Sequence, residues 1–244
     1  AEGISEAEIA QDMAYLAKLW EFIQRKQRSI VVPSLVFEEL PLPQRVIRDL
    51  ANQDTAKISV DSREIHAKLQ EFVAEFVPSM QDRLMHYPGE RPIFDLYNVE
   101  EDIQKALQTR VALKSGGYLM IDQTEAMATI DVNTGSYVGG RTLEDTVFKT
   151  NMEATQVIAR QLRLRNLGGI IIIDFIDMQE AEHREEVMSQ LERMLERDHA
   201  KTKITQVSEL GLVEMTRKRT RESLEHLLCE SCATCQGRGY VKTT

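Results

Sequence analysis

Hydrophobic residues near the start of the chain recur every three or four positions, which is the spacing of one face of an α-helix. The stripe consists of Ile9, Met13, Leu16, Trp20 and Ile23. It predicts an amphipathic helix that packs this face on a core. Several prolines follow, between positions 33 and 43, and they indicate a boundary there.

The rest of the chain alternates strand-like and helix-like patterns, which predicts a mixed α/β fold. We expect strands near 57–60, 111–113, 118–122, 126–132, 170–176, 204–207 and 212–215, and helices near 46–50, 61–76, 141–165 and 181–197. Thr142 and Asp145 have the spacing of a capping box at the start of the longest helix. The apolar, β-branched run Ile170–Ile176 is typical of a central strand covered on both faces.

Composition places the chain among ordinary globular proteins, because 42% of its 244 residues are hydrophobic and 28% are charged. No apolar run reaches the roughly 20 residues that a membrane helix needs. Three clustered cysteines are too few for a disulfide-stapled fold, so a reducing, cytoplasmic location is expected. The chain shows no signal-peptide pattern and starts at Ala1, so we expect a fragment or a processed form.

The net charge of −9 argues against simple electrostatic wrapping of a polyanion. Residues 201–244 differ, since they hold 8 basic and 5 acidic side chains. Arg217 and Arg219 in this segment, and more weakly Lys201, are candidates for phosphate contacts, because a guanidinium matches two phosphate oxygens. A solvated surface is the alternative explanation for such a charge run.

Two acidic positions suggest a metal site. Asp131 and Asn133 lie two residues apart in a predicted strand and therefore point to the same face. Asp174 ends the isoleucine run, and adjacent strands would bring its carboxylate to that of Asp131. Mg²⁺ suits such a pair, since it takes one or two carboxylates and keeps room for phosphate oxygens. Alternatively, one aspartate caps a loop or pairs with an arginine, whereas Asp177 is expected to cap the next helix.

Cys232 and Cys235 form a Cys-x-x-Cys knuckle followed by two glycines. A structural zinc needs four ligands, and the knuckle supplies two. His226 and Cys229 could complete the site within one chain, or a second copy of the protein could donate its own pair. Free surface thiols are the third alternative.

Several motifs, taken in order, resemble the catalytic core of the bacterial ribonuclease E/G family. They are residues 116–118, 121–126, 130–133, 159–169 and 173–178, and residues 214–223 resemble the ribonuclease G branch. The resemblance implies a magnesium-dependent endoribonuclease that hydrolyses single-stranded, A/U-rich RNA to 5′-phosphate and 3′-hydroxyl ends. It further implies a preference for 5′-monophosphorylated RNA and roles in rRNA maturation and mRNA decay.

The same resemblance assigns roles to individual residues. Asp131 and Asp174 match the family's metal-binding aspartates, and Asn133 matches the asparagine that positions the scissile phosphate. Cys232 and Cys235 match the zinc-link pair, which the family shares between two protomers. The resemblance therefore implies catalytic Mg²⁺, structural Zn²⁺ and a homodimer.

Family likeness also divides the chain. It implies the tail of a 5′-sensor region at 1–43, part of a ribonuclease H-like subdomain at 44–107, a deoxyribonuclease I-like catalytic subdomain at 108–228 and a zinc-link at 229–244. Lys201 falls where a relative has an arginine near the pocket for the RNA 5′ end, so the resemblance implies an RNA contact there. The family's S1 domain and the main part of the sensor are expected upstream, and its small dimerisation domain downstream.

Other function classes compete with this interpretation. A non-catalytic RNA-binding or zinc-assembly module would need the knuckle but no carboxylate pair. A metal-dependent phosphoesterase with a small substrate would need the carboxylates but no RNA surface. Covalent catalysis has no support, because no histidine sits beside a candidate nucleophile.

Overall fold

The computed structural model describes residues 6–135, 142–198, 200–208, 211–237, 239 and 241–242. It confirms a mixed α/β protein and divides into two compact units, Ala1–Tyr97 and Asn98–Thr244. None of the helices that the structure describes is long and apolar enough to cross a membrane.

The first unit is mainly helical. Its elements are α1 (Glu6–Ser29), α2 (Leu42–Leu50), β1 (Ile58–Val60), α3 (Arg63–Phe76), a 3-10 helix (Pro78–Arg83), β2 (Leu84–His86) and α4 (Ile93–Leu96). Strands β1 and β2 pair in parallel. Ser62 begins α3 by accepting a hydrogen bond from the Ile65 amide, and Phe72 and Val73 carry its buried face into the local core.

The predicted helix α1 forms, but its apolar stripe does not pack as expected. Leu16 and Trp20 are each 60% exposed. The helix instead contacts its own unit through Tyr15 and Phe22, whose rings lie 5.8 and 5.9 Å from that of Phe76. Periodicity marks an apolar face correctly, but it does not identify what covers that face.

The second unit contains a six-stranded sheet. Its elements are α5 (Val99–Ala106), β3 (Arg110–Ala112), β4 (Tyr118–Gln123), β5 (Met127–Asn133), α6 (Leu143–Leu164), β6 (Gly169–Asp174), α7 (Ala181–Leu195), β7 (Thr202–Val207), β8 (Val213–Arg217) and α8 (Leu224–Leu228). The strand order is β3-β4-β5-β6-β8-β7. Among the strands that the structure describes in this sheet, β5 and β6 alone are parallel neighbours, and α6 supplies the crossover that such a pair requires.

Local sequence explains the elements around the parallel pair. The capping box at α6 is present, since Thr142 and Asp145 bond to each other's backbone amides. A tight turn joins β3 to β4, and Gly117 there leaves no space for a side chain. A Cβ atom on Gly117 would lie 2.7 Å from the carbonyl oxygen of Asn133. This glycine therefore permits the close approach of β4 to the end of β5.

The sheet has one covered face. Helices α6 and α7 pack on the face that carries Ile171 and Ile173, both fully buried. Strand β6 ends at Asp174 rather than at residue 176, and Ile170 on the other face is 48% exposed. The expectation of a strand covered on both faces is thus wrong for the second unit, because both helices lie on the same side.

We call the other side the open face. It carries Arg110, Tyr118, Met120, Asp131, Asn133, Ile170, Ile172 and Asp174, whose side chains are exposed or half-buried. Helix α5 belongs to the second unit, so this unit begins before residue 108. The assignments to named subdomains stay predictions.

Candidate active site

Asp131 and Asp174 stand side by side on the open face. They are direct partners in the register of the parallel strands β5 and β6. Neighbouring strands lie about 4.8 Å apart, so two residues in register hold their side chains close together on one face. The sequence pattern predicted that the two carboxylates lie on adjacent strands, and β5 and β6 are adjacent in the sheet.

Asn133 joins the pair. Its Nδ2 atom donates a hydrogen bond to Oδ2 of Asp131 over 2.8 Å. Alternation along β5 places both residues on the open face. The structure thus brings together the three site residues expected from sequence, Asp131, Asn133 and Asp174.

The surroundings of Asp174 disfavour its charged form. Burial raises the pKa of Asp174, and the negative charges of Asp131 and Asp177 raise it further. A cation near the pair would relieve this repulsion. Within the described ranges no three His, Cys, Asp or Glu side chains cluster tightly enough to hold a metal. Two carboxylates nevertheless fit Mg²⁺, which keeps several waters or phosphate oxygens as further ligands.

The chain beyond Asp174 is held by a buried amide on α6. Asn151 is fully buried. Its Nδ2 donates to the carbonyl oxygen of Ile176 over 2.8 Å, and its Oδ1 accepts from the Ile176 amide over 3.1 Å. This two-way bond satisfies both backbone groups of Ile176 and fixes the path of the chain two residues after Asp174.

A second contact holds the same segment nearer to α7. The Glu144 carboxylate accepts hydrogen bonds from the amides of Gln179 and Glu180, and it lies 3.1 Å from Nδ1 of His183. The His183 ring also stacks on Phe148 at 4.2 Å. Glu144 therefore satisfies amides at the start of α7, where Asp177 was expected to act.

Asp177 does not cap α7. The residue at the N-cap position is Glu180, and it makes no side-chain capping bond. Asp177 is exposed and contributes instead to the negative potential at Asp174. Helix α7 begins only at Ala181, four residues beyond Asp177, and Glu144 of α6 bonds the amides of Gln179 and Glu180 just before it.

Sequence reasoning missed Asn151 and Glu144. A signal for Asn151 was present, since it falls in the apolar stripe of α6 between Val147 and Ala154. A polar residue on a buried helical face needs a hydrogen-bond partner there. Glu144 lies in the first turn of α6, where an acidic side chain interacts favourably with the helix dipole. Its contact with the start of α7 therefore could not be inferred from the sequence.

Arg217 is buried and is not available for an RNA contact. It is 5% exposed. Its guanidinium donates to both carboxylate oxygens of Asp198, at 2.8 and 3.2 Å, to Asn166 Oδ1 at 3.2 Å and to the Leu167 carbonyl at 2.8 Å. This side chain ties the end of β8 to neighbouring segments, which corrects its expected role.

Arg219 and Lys201 are exposed, as phosphate ligands must be. The Arg219 Nε donates to the Gly168 carbonyl over 3.1 Å. A Cβ atom on Gly168 would lie 2.8 Å from Arg219 Cγ, so this glycine makes room for the arginine. Lys201 precedes β7, and neither residue lies in the register rows that hold the aspartates.

Cys232 and Cys235 come together as a knuckle. Backbone amides of Cys235 and Thr234, and then the Cys235 thiol, lower the pKa of the Cys232 thiol. Such bonds favour the thiolate, the form that binds metal. His226 and Cys229 line the same groove as Cys232, about 1000 Å³ in volume. In the part of the chain that the structure describes, they do not join the pair in a cluster of three.

Comparison with known proteins finds relatives along the whole chain. The sequence model of the Ribonuclease E/G family matches residues 1–220. Ribonuclease G of Escherichia coli is 57% identical over 243 residues, covering 100% of this chain and 50% of that protein. Ribonuclease G of Haemophilus influenzae is 54% identical over 242 residues, covering 99% of this chain and 49% of that protein.

A more distant relative is ribonuclease E of Nostoc, which is 38% identical over 244 residues and covers 99% of this chain. The chain spans about half the length of the ribonuclease G proteins that it matches. The match of the family model to most of the sequence, together with these identities, shows that the chain belongs to the ribonuclease E/G family.

Proposed function

We propose that this chain carries the catalytic centre of a magnesium-dependent endoribonuclease that cuts single-stranded RNA. The observation that carries the proposal is the in-register pair Asp131 and Asp174 on the open face. Two adjacent carboxylates whose charges repel each other form a site for a hard divalent cation. The relatives named ribonuclease G support the choice of RNA as substrate.

Asp131 and Asp174 would hold the metal through their carboxylate oxygens. Bound Mg²⁺ supplies a Lewis acid that acidifies an attacking water and offsets negative charge on the phosphate. Asn133 fixes the Asp131 carboxylate by its 2.8 Å hydrogen bond, and by family resemblance its amide would orient the scissile phosphate. Hydrolysis breaks the bond from phosphorus to the 3′ oxygen and leaves a 3′-hydroxyl and a 5′-phosphate.

The exposure of the site favours a flexible strand as substrate. Asp131 and Asp174 are exposed on the open face rather than enclosed in a narrow pocket. A single strand can bend its backbone onto such a surface more easily than a duplex can. The family resemblance further suggests A/U-rich sequences, a 5′-monophosphate preference, and roles in rRNA maturation and mRNA decay.

We further propose that the knuckle binds a zinc ion shared by two copies of the chain. The lowered pKa of the Cys232 thiol favours a thiolate ligand. Cys232 and Cys235 supply two of the four ligands that structural zinc requires. The same pair in a second chain would complete the site and form a homodimer.

The decisive experiment is cleavage of a labelled, 5′-monophosphorylated, A/U-rich single strand by this chain with Mg²⁺ or with EDTA. We expect cutting that requires Mg²⁺ and is lost in Asp131→Asn and in Asp174→Asn. Removal of one ligand charge weakens the metal site, and we expect rates at least about 100-fold lower. Ligation of the products to adaptors that require a 5′-phosphate or a 3′-hydroxyl reports the two kinds of end.

Asp82→Asn provides the matched control. Asp82 is an exposed aspartate in the 3-10 helix of the first unit, so its substitution should leave cutting unchanged. Retained cutting in either site variant would refute the metal assignment. RNA binding without any cutting would favour the non-catalytic RNA-binding alternative.

A further inference from the structure

The register of the sheet places a basic residue in line with the two aspartates. Arg110 on β3 is the partner of Met120 on β4, Met120 is the partner of Asp131, and Asp131 is the partner of Asp174. The four side chains form one row across the open face. Arg110 stands two strands from Asp131, a backbone separation of about 10 Å.

Arg110 is held by an aromatic ring rather than by an acid. Its guanidinium carbon lies 4.0 Å from the centre of the Tyr118 ring. The two residues are diagonal neighbours on β3 and β4, since Tyr118 pairs with Ala112. Tyr118 is in turn the partner of Asn133 on its other side. The ring therefore connects the arginine to the candidate active site.

The charge of Arg110 stays uncompensated in the described structure. Arg110 is exposed and forms no ion pair among the residues described. By contrast, Arg217 is neutralised by Asp198 and Arg160 lies 3.3 Å from Asp102. An unpaired cation that is fixed beside two carboxylates, in a protein of net charge −9, is suited to an anion that also approaches those carboxylates.

The guanidinium is accessible to a ligand. Its carbon lies over the Tyr118 ring on one side, and the side chain is otherwise exposed. Guanidinium planes stack on nucleobases, and their N–H groups donate in pairs to phosphate oxygens. A base or a phosphate of a single strand could use either feature without displacing the ring.

We propose that Arg110, supported by Tyr118, is an RNA-binding subsite that grips the strand next to the phosphate being cut. The proposal rests on the proposed function, because it assumes that RNA crosses the open face at Asp131 and Asp174. Arg110 is the binding residue of this subsite. Tyr118 is a positioning residue, which holds the guanidinium over its ring.

The test measures RNA binding without metal, so that cutting plays no part. Fluorescence anisotropy follows a labelled, A/U-rich single-stranded oligonucleotide titrated with the full chain in EDTA. Salt is varied from about 50 to 200 mM. Wild type is compared with Arg110→Gln and with Arg193→Gln, which removes the same charge from an exposed position on α7.

We expect Arg110→Gln to weaken binding about tenfold, the effect of losing one stacking platform. The slope of log Kd against log salt should fall by about 0.7, which corresponds to one phosphate contact on a single strand. Arg193→Gln should change neither quantity. Arg110→Lys should restore the salt slope but not the full affinity, since lysine keeps the charge and loses the planar face.

Tyr118 gives an independent readout. Tyr118→Phe keeps the ring and should bind RNA as wild type does, whereas Tyr118→Leu should lose part of the affinity with an unchanged salt slope. If Tyr118 only maintained the fold, its substitutions would not change the affinity while leaving the salt slope unchanged. Thermal melts of all variants check that the fold is intact.

Equal binding by Arg110→Gln and wild type would overturn the proposal, and so would a wild-type chain that does not bind the oligonucleotide. Failure of the proposed function can be distinguished from failure of the subsite. If the wild-type chain does not cut RNA but Arg110→Gln still weakens binding, the catalytic assignment alone is wrong. If the wild-type chain cuts RNA but Arg110→Gln binds as wild type does, the subsite alone is wrong.

Discussion

Asn151 illustrates how one buried side chain can control the geometry of a site that it does not touch. Its amide replaces the strand partner that the Ile176 backbone lacks beyond the end of β6. Buried backbone groups without such a partner are costly. The residue therefore links the packing of α6 to the position of Asp174.

Substitution of the Asn151 amide should lower the stability of the protein. Asn151→Ala leaves an N–H and a C=O of Ile176 without partners, and we expect a loss of about 2–4 kcal/mol in the free energy of unfolding. Urea denaturation measures it. Gln156→Ala, at an exposed position of the same helix, should stay within about 0.5 kcal/mol of wild type. A similar loss in both variants would contradict the specific role of Asn151.

At this scale the sequence predicted the acidic pair but not all the basic residues. Asp131 and Asp174 could be found because strand ends and alternation are encoded locally. Arg217 could not be assigned, because a charge run typically indicates a solvated surface and the partner Asp198 lies 19 residues away. Contacts across such separations depend on the tertiary fold, which a single sequence pattern does not contain.

The contact between Glu144 and His183 acts between elements, since it joins the start of α6 to the first turn of α7. The hydrogen bond to Glu144 raises the pKa of His183, and the charge of Glu180 adds to the effect. The same hydrogen bond lowers the pKa of Glu144, with further help from the amides of Gln179 and Glu180. The charged forms of both residues are therefore favoured in the folded protein.

This contact predicts a pH-dependent stability. The His183 contribution is complete below the ordinary histidine pKa of about 6.5, and it disappears as pH rises through the raised pKa in the folded protein. The Glu144 contribution is present above the ordinary glutamate pKa and is lost as pH falls through the lowered one. The two contributions overlap in mildly acidic solution.

Urea midpoints of wild type and His183→Gln at pH about 5.5 and about 8.5 test this expectation. The stability difference between the two proteins should be larger at the lower pH. The comparison cancels other titrating groups, because they are shared by both proteins. A difference that is equal at both values, or larger at the higher one, would rule out the charged pair.

The elements themselves were largely predictable from sequence, whereas their surroundings were not. The capping box of Thr142 and Asp145 is a local signal, and it is present as expected. The stripe of α1 and the isoleucine run of β6 are equally clear, yet Trp20 and Ile170 are exposed. The spacing of hydrophobic residues identifies an apolar face, but which elements cover that face depends on the whole fold.

For the whole molecule, the proposed shared zinc predicts a defined stoichiometry. We expect one zinc per two chains and a mass in solution of twice the 27.9 kDa of one chain. Elemental analysis and light scattering measure these quantities. Cys232→Ser should remove both the metal and the dimer, whereas Cys229→Ser should keep both.

The alternatives give different results. One zinc per chain in a monomer would favour closure within the chain through His226 and Cys229. A chain without bound zinc, or a Cys229→Ser variant that loses the metal, would contradict the shared site.

The parallel, in-register pairing of β5 and β6 has a consequence for how the gene can vary. Side chains alternate between the two faces of a strand, so a deletion of one residue within 169–173 would shift Asp174 to the position of a residue that faces α6 and α7. A substitution at the exposed Ile170 changes one surface group and leaves that alternation intact. The lengths of β5 and β6 are therefore constrained in evolution as strictly as the identities of Asp131 and Asp174.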